Sequence, residues 1–301
     1  MKLLIEPPTW LGDAVMASGA IEKLIDETSA DEVILFGSAL ALEVLKSNPK
    51  VTKTVVDQTK KGNRFFNVLK VSKELKSDMA VSFRKHFFSK LLMFLSGKKW
   101  YVNRDFTGHQ VEKYNKYVDF ILNKNLPVYP PKIYYKPKKF NKPTLGINPG
   151  ATYGSAKRWY PEEFAKVANA LGEKYDIIIF GGPGEEDIAK DIEKNLNISN
   201  YQNLCGKLSV KELCEYIGGL DLFITNDSGP MHIASAYKVP IVAVFGPTKY
   251  NETSPYNTKY KIVTKGLECA PCMKRECPLG HHECMKEIKA EDVLKAVKEL
   301  V

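Results

Sequence analysis

The stretch Leu222-Phe223-Ile224-Thr225-Asn226-Asp227-Ser228-Gly229-Pro230-Met231-His232, running on to Ile241-Val242-Ala243-Val244-Phe245, decides the fold. Leu222–Thr225 and Ile241–Phe245 are short apolar runs without polar alternation, the pattern of strands buried on both faces. Pro230 suits the first turn of a helix, because its ring presets φ and its missing N–H has no partner to lose there. A strand, a short helix from Pro230 and a second strand in this little chain make a βαβ unit, with the two strands parallel.

The same alternation extends in both directions. Downstream of residue 143 the pattern predicts strands Thr144–Asn148 and Ile177–Phe180, with helices Pro161–Glu173, Glu185–Asn195, Val210–Ile217 and Glu291–Leu300. Upstream it predicts strands Leu3–Ile5, Val33–Phe36, Val51–Val56 and Met79–Phe83, with helices Ala14–Ile25, Ala41–Lys46, Phe65–Leu75, Phe87–Leu95 and Val111–Leu122. The register breaks between Leu126 and Pro143, where five prolines mark a linker. The expected architecture is α/β: two doubly wound Rossmann-like domains, residues 1–142 and 143–301, facing a cleft.

Length and composition agree with that division. The chain has 301 residues, 44% hydrophobic and 26% charged, which suits two ordinary globular domains. No segment approaches the roughly 18 apolar residues of a membrane span, and Leu3–Ile5 is too short for a signal-peptide core, so a cytoplasmic location is expected. The net charge of +9 fits nucleic acid, an anionic membrane surface, phosphorylated substrates or a plain lysine-rich surface. No GxGxxG follows a strand and no GxxxxGK[ST] occurs, which disfavours dinucleotide oxidoreductases and P-loop NTPases. Of six cysteines, Cys269, Cys272, Cys277 and Cys284 crowd together with His281 and His282. Reduced thiols or a structural metal are the two readings.

Three loops carry candidate chemistry. Pro149 to Trp159 is rich in small residues, bears Thr152 and Ser155, and ends in Lys157 and Arg158, a pattern suited to phosphate. Asp227-Ser228-Gly229 precedes the helix at Pro230, so a diphosphate could rest on its first amides; Asp227 is read as a helix cap or a ribose ligand, and His232 lies one turn on. Gly181-Gly182-Pro183-Gly184-Glu185-Glu186 follows another strand, and its carboxylates could hold a ribose or base. In the first half, Asp13 sits where the first strand turns into a helix and is read as a helix N-cap or a general base. Arg84, Lys85, His86 and His109 are candidates for an anionic acceptor, or a basic loop surface.

Trp10-Leu11-Gly12-Asp13, Pro149-Gly150-Ala151 with Ala156-Lys157-Arg158-Trp159, and Asn226 to His232 followed by Phe245-Gly246-Pro247-Thr248 resemble the ADP-heptose:lipopolysaccharide heptosyltransferases, glycosyltransferase family 9. These motifs span nearly the whole chain in family order. The resemblance implies an inverting GT-B enzyme that holds ADP-heptose in its C-terminal domain and the lipopolysaccharide core in its N-terminal one. It also implies that Asp13 is the catalytic base, with Lys157 assisting the leaving group. Thr152, Lys157, Asp227, Ser228, Gly229, Met231 and His232 would surround the donor, with Glu185 among the donor residues; Glu185 or Glu186 matches the family's acidic residue near the nucleoside only loosely. Arg84, His86 and His109 would meet the acceptor.

No DxD pair is visible, so metal-independent transfer without a cofactor is expected. Glu185-Glu186-Asp187 is explained as the acidic opening of a helix. The expected enzyme is a monomer that touches the anionic inner face of the membrane without insertion. The reading from a different class is a zinc-bearing nucleic-acid or partner-binding protein. It is disfavoured because Cys269 to Cys284 holds no Phe, Tyr or Trp to stack on bases.

Overall fold

A computed structural model describes all residues, Met1 to Val301. The chain divides into two units, Met1–Tyr134 and Tyr135–Val301. The first contains β1 (Lys2–Glu6), α1 (Leu11–Thr28), β2 (Glu32–Gly37), α2 (Ala39–Leu45), β3 (Lys53–Val56), α3 (Arg64–Glu74), β4 (Ser77–Ser82), α4 (Phe87–Ser96), β5 (Gly97–Val102) and α5 (Gln110–Leu122). The second contains β6 (Thr144–Asn148), a 3-10 turn at Ser155–Lys157, α6 (Pro161–Leu171), β7 (Asp176–Ile179), α7 (Glu186–Glu193), β8 (Tyr201–Asn203), α8 (Val210–Gly218) and β9 (Leu222–Asn226). It ends with α9 (Gly229–Ala236), β10 (Ile241–Val244), α10 (Tyr250–Thr253), β11 (Tyr260–Val263), α11 (Glu283–Lys286) and α12 (Ala290–Lys298).

Both sheets are wholly parallel. Their orders are β3-β2-β1-β4-β5 and β11-β10-β9-β6-β7-β8. In the first unit α1 packs against α2 and α5, while α3 packs against α4. Successive strand residues point to opposite faces, so Leu4, Ile34, Phe36 and Ala80 join Val68, Leu75, Leu92 and Met93 beneath α3 and α4. In the second unit Leu145, Ile147, Ile177, Ile179, Leu222 and Ile224 enter one core with Trp159, Phe164 and the apolar side of α12.

Every predicted strand and helix is present within a few residues of its expected bounds. Three strands were not expected: β5, β8 and β11. Each lies at a sheet edge, where only one neighbour pairs with it and lysine or amide side chains replace the continuous apolar run. Runs interrupted by polar side chains in this way give no continuous apolar signal, whereas β3, also at an edge, keeps enough of one to be predicted.

The proline-rich segment is not a loose linker, and this moves the boundary ahead of residue 142. Up to Tyr134 it lies along the first unit: Tyr129 N–H donates to Asn115 Oδ1 (2.8 Å) and Lys132 N–H to Ser18 Oγ (2.9 Å). A Cβ on Gly19 would stand 2.3 Å from the carbonyl oxygens of Tyr129 and Pro130. From Tyr135 onward it belongs to the second unit. Tyr237 donates to the Tyr135 carbonyl (2.9 Å), Lys138 N–H to the Glu215 carbonyl (2.7 Å), and a Cβ on Gly219 would meet the Lys138 carbonyl at 1.9 Å. Two glycines thus admit the segment, one on each unit. Gly19→Ala is expected to destabilise the first unit by about 1–3 kcal/mol, since backbone and not a movable side chain must yield. An unchanged denaturation midpoint would show that the segment can lift away.

Candidate functional site

In the second sheet the strand order reverses between β6 and β9, which pair directly. The loops leaving their carboxyl ends therefore turn away from each other and open a crevice, the place where such sheets bind ligands. The Pro149–Trp159 loop leaves β6, and Asp227-Ser228 leaves β9. Asn226, fully buried, fastens the first loop at both ends: its Nδ2 donates to the Pro149 carbonyl (2.7 Å) and its Oδ1 accepts from Trp159 N–H (3.2 Å). Trp159 is itself fixed, its Nε1–H donating to the Ile288 carbonyl (2.9 Å) and its ring lying edge-on to Phe164.

Lys157 reaches from this loop to Asp227, with Nζ 2.5 Å from Oδ2, and both side chains are largely shielded from solvent. Thr248, after β10, donates to the same carboxylate oxygen (2.7 Å). Asp227 is thus an ion-pair partner and not the helix cap that was one expectation. The N-cap of α9 is Ser228, whose hydroxyl is engaged with Thr225 (3.0 Å) and Asn148 (3.3 Å) and caps nothing. The first amides of α9 consequently have no side-chain partner, and Pro230 in that turn has none to offer. The Lys157–Asp227 ion pair thus stands beside the positive end of α9, and the uncapped helix start is the feature that favours an anion there.

The remaining expected donor residues are distributed unevenly. His232 is buried in α9, and Thr152 is exposed on the β6 loop. Met231 is fully buried, so its side chain is core and not a ligand group; only its backbone lies in the first turn. Glu185 is buried after β7, its Oε2 accepting from Gly182 N–H (2.8 Å) while Oε1 has no partner. A Cβ on Gly150 would fall 1.9 Å from Oε2, so that glycine lets the carboxylate lie against the β6 loop. Burial, and then the charges of Glu185 and Glu186, push the nearby Cys205 thiol up to about 11. Glu186 and Asp187 occupy the first turn of α7, as the helix-dipole reading anticipated.

The cysteine segment buttresses the β6 loop. Ala156 N–H donates to the Arg275 carbonyl (3.0 Å), Tyr153 to the Met273 carbonyl (3.0 Å), and Gly154 leaves room for Arg275, whose oxygen a Cβ would meet at 2.2 Å. His282 Nε2–H donates to the Ala156 carbonyl (2.8 Å), which leaves Nδ1 to accept from the Tyr160 hydroxyl (3.2 Å). Both ring nitrogens are therefore committed to holding the loop beside Lys157. The four thiols line a cavity of about 160 Å³, but no three Cys, His, Asp or Glu side chains form a metal-ligand group. The thiols differ in character. Backbone amides, that of His282 first, hold Cys277 below the usual thiol range, while burial and then its neighbouring cysteines push Cys284 up to about 11.

In the first sheet the order reverses between β1 and β4. Asp13 lies in the first turn of α1, beyond the N-cap Trp10, so it is not the cap. The helix end favours its carboxylate. The Tyr114 hydroxyl reaches Asp13 Oδ1 at 3.4 Å; burial first, and the Asp13 charge second, keep that phenol protonated. Tyr114 packs edge-on to Phe83, which contacts Tyr117 in the same way. Arg84 is not the exposed cation that was expected. Its Nη1 pairs with buried Glu6 (3.1 Å) and its Nε–H donates to the Pro7 carbonyl (2.8 Å); Nη2 alone is without a partner. His109 caps α5, accepting Val111 N–H at Nδ1 (3.2 Å), whereas His86 is exposed at the start of α4 and Lys85 pairs with Asp105.

Asn226, Thr248, Tyr114 and Glu6 were not anticipated as site residues. Asn226 and Thr248 lie inside the Asn226–His232 and Phe245–Thr248 motifs, and a polar side chain closing a buried strand was the available signal. Tyr114 and Glu6 gave none, because their partners lie far away in sequence.

Two α/β units of this topology, with the loops at both reversal points furnished this way, define the GT-B class of nucleotide-sugar glycosyltransferases. The chain belongs to glycosyltransferase family 9 (heptosyltransferase), whose model matches residues 35–283. It is similar to lipooligosaccharide heptosyltransferase 2 of Campylobacter jejuni, with 41% identity covering 100% of this chain and 99% of that protein. Among solved structures, E. coli ADP-heptose lps heptosyltransferase II superposes with a TM-score of 0.82 at 22% identity, over 100% of this chain and 98% of that one. E. coli heptosyltransferase WaaC with ADP does so with a TM-score of 0.80 at 14% identity, over 100% of both chains.

Thiolate and not thiol is the nucleophile, so a lowered thiol range raises reactivity at neutral pH. Iodoacetamide at pH 7.5 is therefore expected to label Cys277 well before Cys205 and Cys284, whose labelling should rise only toward strongly alkaline pH. Peptide mass spectrometry over time reads this order, and equal rates at all three would refute the amide nest around Cys277.

Proposed function

We propose that this chain transfers a heptose from ADP-heptose to the inner core of lipopolysaccharide or lipooligosaccharide, by a single inverting displacement without metal. The observation that carries the reading is the Lys157 ammonium, held by Asp227 beside the open amides of α9 at the β6/β9 reversal point. The whole-length similarity to a lipooligosaccharide heptosyltransferase narrows the sugar and acceptor.

In this reading the second unit holds the donor. The diphosphate lies across the start of α9, Lys157 meets the phosphate that becomes the leaving group, and Glu185 offers its unpartnered oxygen to the nucleoside. The first unit holds the acceptor. Asp13 takes the proton from the attacking hydroxyl as its oxygen bonds to the anomeric carbon. The bond from that carbon to the diphosphate breaks, and ADP departs with the charge that Lys157 and the helix amides stabilise. A buried, protonated Tyr114 keeps the Asp13 carboxylate oriented. Arg84 positions the strand ends through Glu6, while His86 and His109 face the acceptor. No helix is long and apolar enough to cross a membrane. The enzyme works as a cytoplasmic monomer on a membrane-borne acceptor and has no nucleic-acid role.

Calorimetric titration with ADP, UDP and GDP in metal-free buffer tests the donor class. Preference for ADP is expected; preference for UDP or GDP would move the enzyme to another sugar, and binding of none would remove the β6/β9 site. Asp13→Asn is expected to lower kcat by about 10²–10⁴ while ADP affinity stays unchanged. Loss of ADP binding instead would make Asp13 structural. Lys157→Ala should cost about 10²-fold or more in kcat through the leaving group. EDTA should leave the rate unchanged, and activity that EDTA abolishes and Mg²⁺ restores would overturn the metal-free mechanism.

A further inference from the structure

The charge of this chain is not spread over its surface. Residues 60–104 carry nine lysines and three arginines against two acids, Glu74 and Asp78. The whole chain has 44 Lys+Arg and 35 Asp+Glu, a net charge of +9, so outside this segment acids exceed bases by one. All of the excess positive charge therefore belongs to α3, α4, β5 and their connections. The nine lysines, Lys60, Lys61, Lys70, Lys73, Lys76, Lys85, Lys90, Lys98 and Lys99, are all exposed, and among them Lys85 and Lys98 are the ion-paired ones.

The same elements expose large apolar rings. Phe66 is 66% exposed, Phe87 67% and Phe94 59%, with Phe65 and Trp100 also open to solvent. Contacts join these elements in two places along the packed series α3, α4 and β5. Arg64 of α3 stacks over Phe88 of α4 (4.3 Å to the ring centre), Phe87 lies edge-on to Phe88, and Phe94 of α4 lies edge-on to Trp100 of β5 (5.8 Å). Single exposed hydrophobics are ordinary on a protein surface, but five aromatic rings on one lysine-rich face are not.

We propose that the α3–α4–β5 face is a docking surface for an anionic lipid bilayer, on which the protein sits peripherally. Lysines serve the headgroup phosphates, and the phenylalanines and Trp100 enter the interfacial layer, where aromatic rings are favoured. The composition favours lipid over nucleic acid. Lysine dominates, and a diffuse field of point charges suits mobile headgroups, whereas phosphodiester backbones are met by arginine forks and a groove. The rings stand at solvent-exposed positions of α3, α4 and β5. Docking does not depend on the identity of the donor or acceptor sugar, so its test separates from that of the transferase reading.

Sedimentation with sucrose-loaded vesicles decides the matter, using the full chain. Binding to phosphatidylglycerol–phosphatidylcholine vesicles is expected, with little to phosphatidylcholine alone and a steep loss with salt. The variant K73E/K90E/K99E should reduce the partition coefficient at least tenfold. The variant F66S/F87S/F94S should reduce it severalfold and make the residual binding wholly salt-sensitive. Both alter exposed side chains, so circular dichroism and ADP titration should match the parent. Equal binding to neutral and anionic vesicles, or variants that bind like the parent, would overturn the proposal. So would tighter binding of single-stranded oligonucleotide than of vesicles through the same residues.

Discussion

Parallel strands cannot be joined by tight turns, so each must be followed by a crossover that returns the chain to the same end of the sheet. When successive crossovers run first one way and then the other, two neighbouring strands send their loops apart, and a crevice opens between those loops. Both sheets contain such a point, at β1/β4 and at β6/β9. Nearly every residue with a chemical assignment here stands on a loop or helix start next to one of them. The right-handed crossover rule makes this geometry follow from strand order alone. Side chains then need only be of the right type at the right loop.

Placing a loop is different from holding it still. The β6 loop carries Lys157 to Asp227 and has little side-chain mass of its own with which to pack. Its rigidity is borrowed. Asn226 joins its two ends, His282 grips Ala156, and the Arg275 carbonyl lies so close that residue 154 carries no side chain. The cysteine segment has a physical purpose in this arrangement whether or not its thiols take part in anything further: it is the wall behind the β6 loop. The first unit uses a different device. Asp13 needs an orientation and not a loop, and it has one from the start of α1 on one side and a buried tyrosine on the other.

The uneven charge adds a separate layer of organisation. Sheet topology fixes where chemistry happens, and the α3–α4–β5 face provides a long-range field through which an anionic surface would be met. The two are compatible because α4 begins at the carboxyl end of β4, the same end from which the reversal-point loops emerge, and runs back along the sheet from there.

The sequence by itself determined the class of fold, the central strands and the helices between them, because a strand buried on both faces must be apolar throughout and a helix between layers must be periodic. It also placed Asp13, Lys157 and Asp227 just beyond strand ends, since small residues, hydroxyls and charges after an apolar run end a buried strand. It did not determine the edge strands β5, β8 and β11, whose lysine and amide side chains break up the apolar run. Nor did it separate ligand from scaffold among charged residues. Arg84 reads as an exposed cation until Glu6 is placed against it, and Met231 reads as a site residue until its burial is known. Tyr114 and Asp13 lie about a hundred residues apart in the chain and meet only because α1 and α5 pack together. Such roles depend on which partners the tertiary fold brings within hydrogen-bond reach, and no local pattern of residues records that.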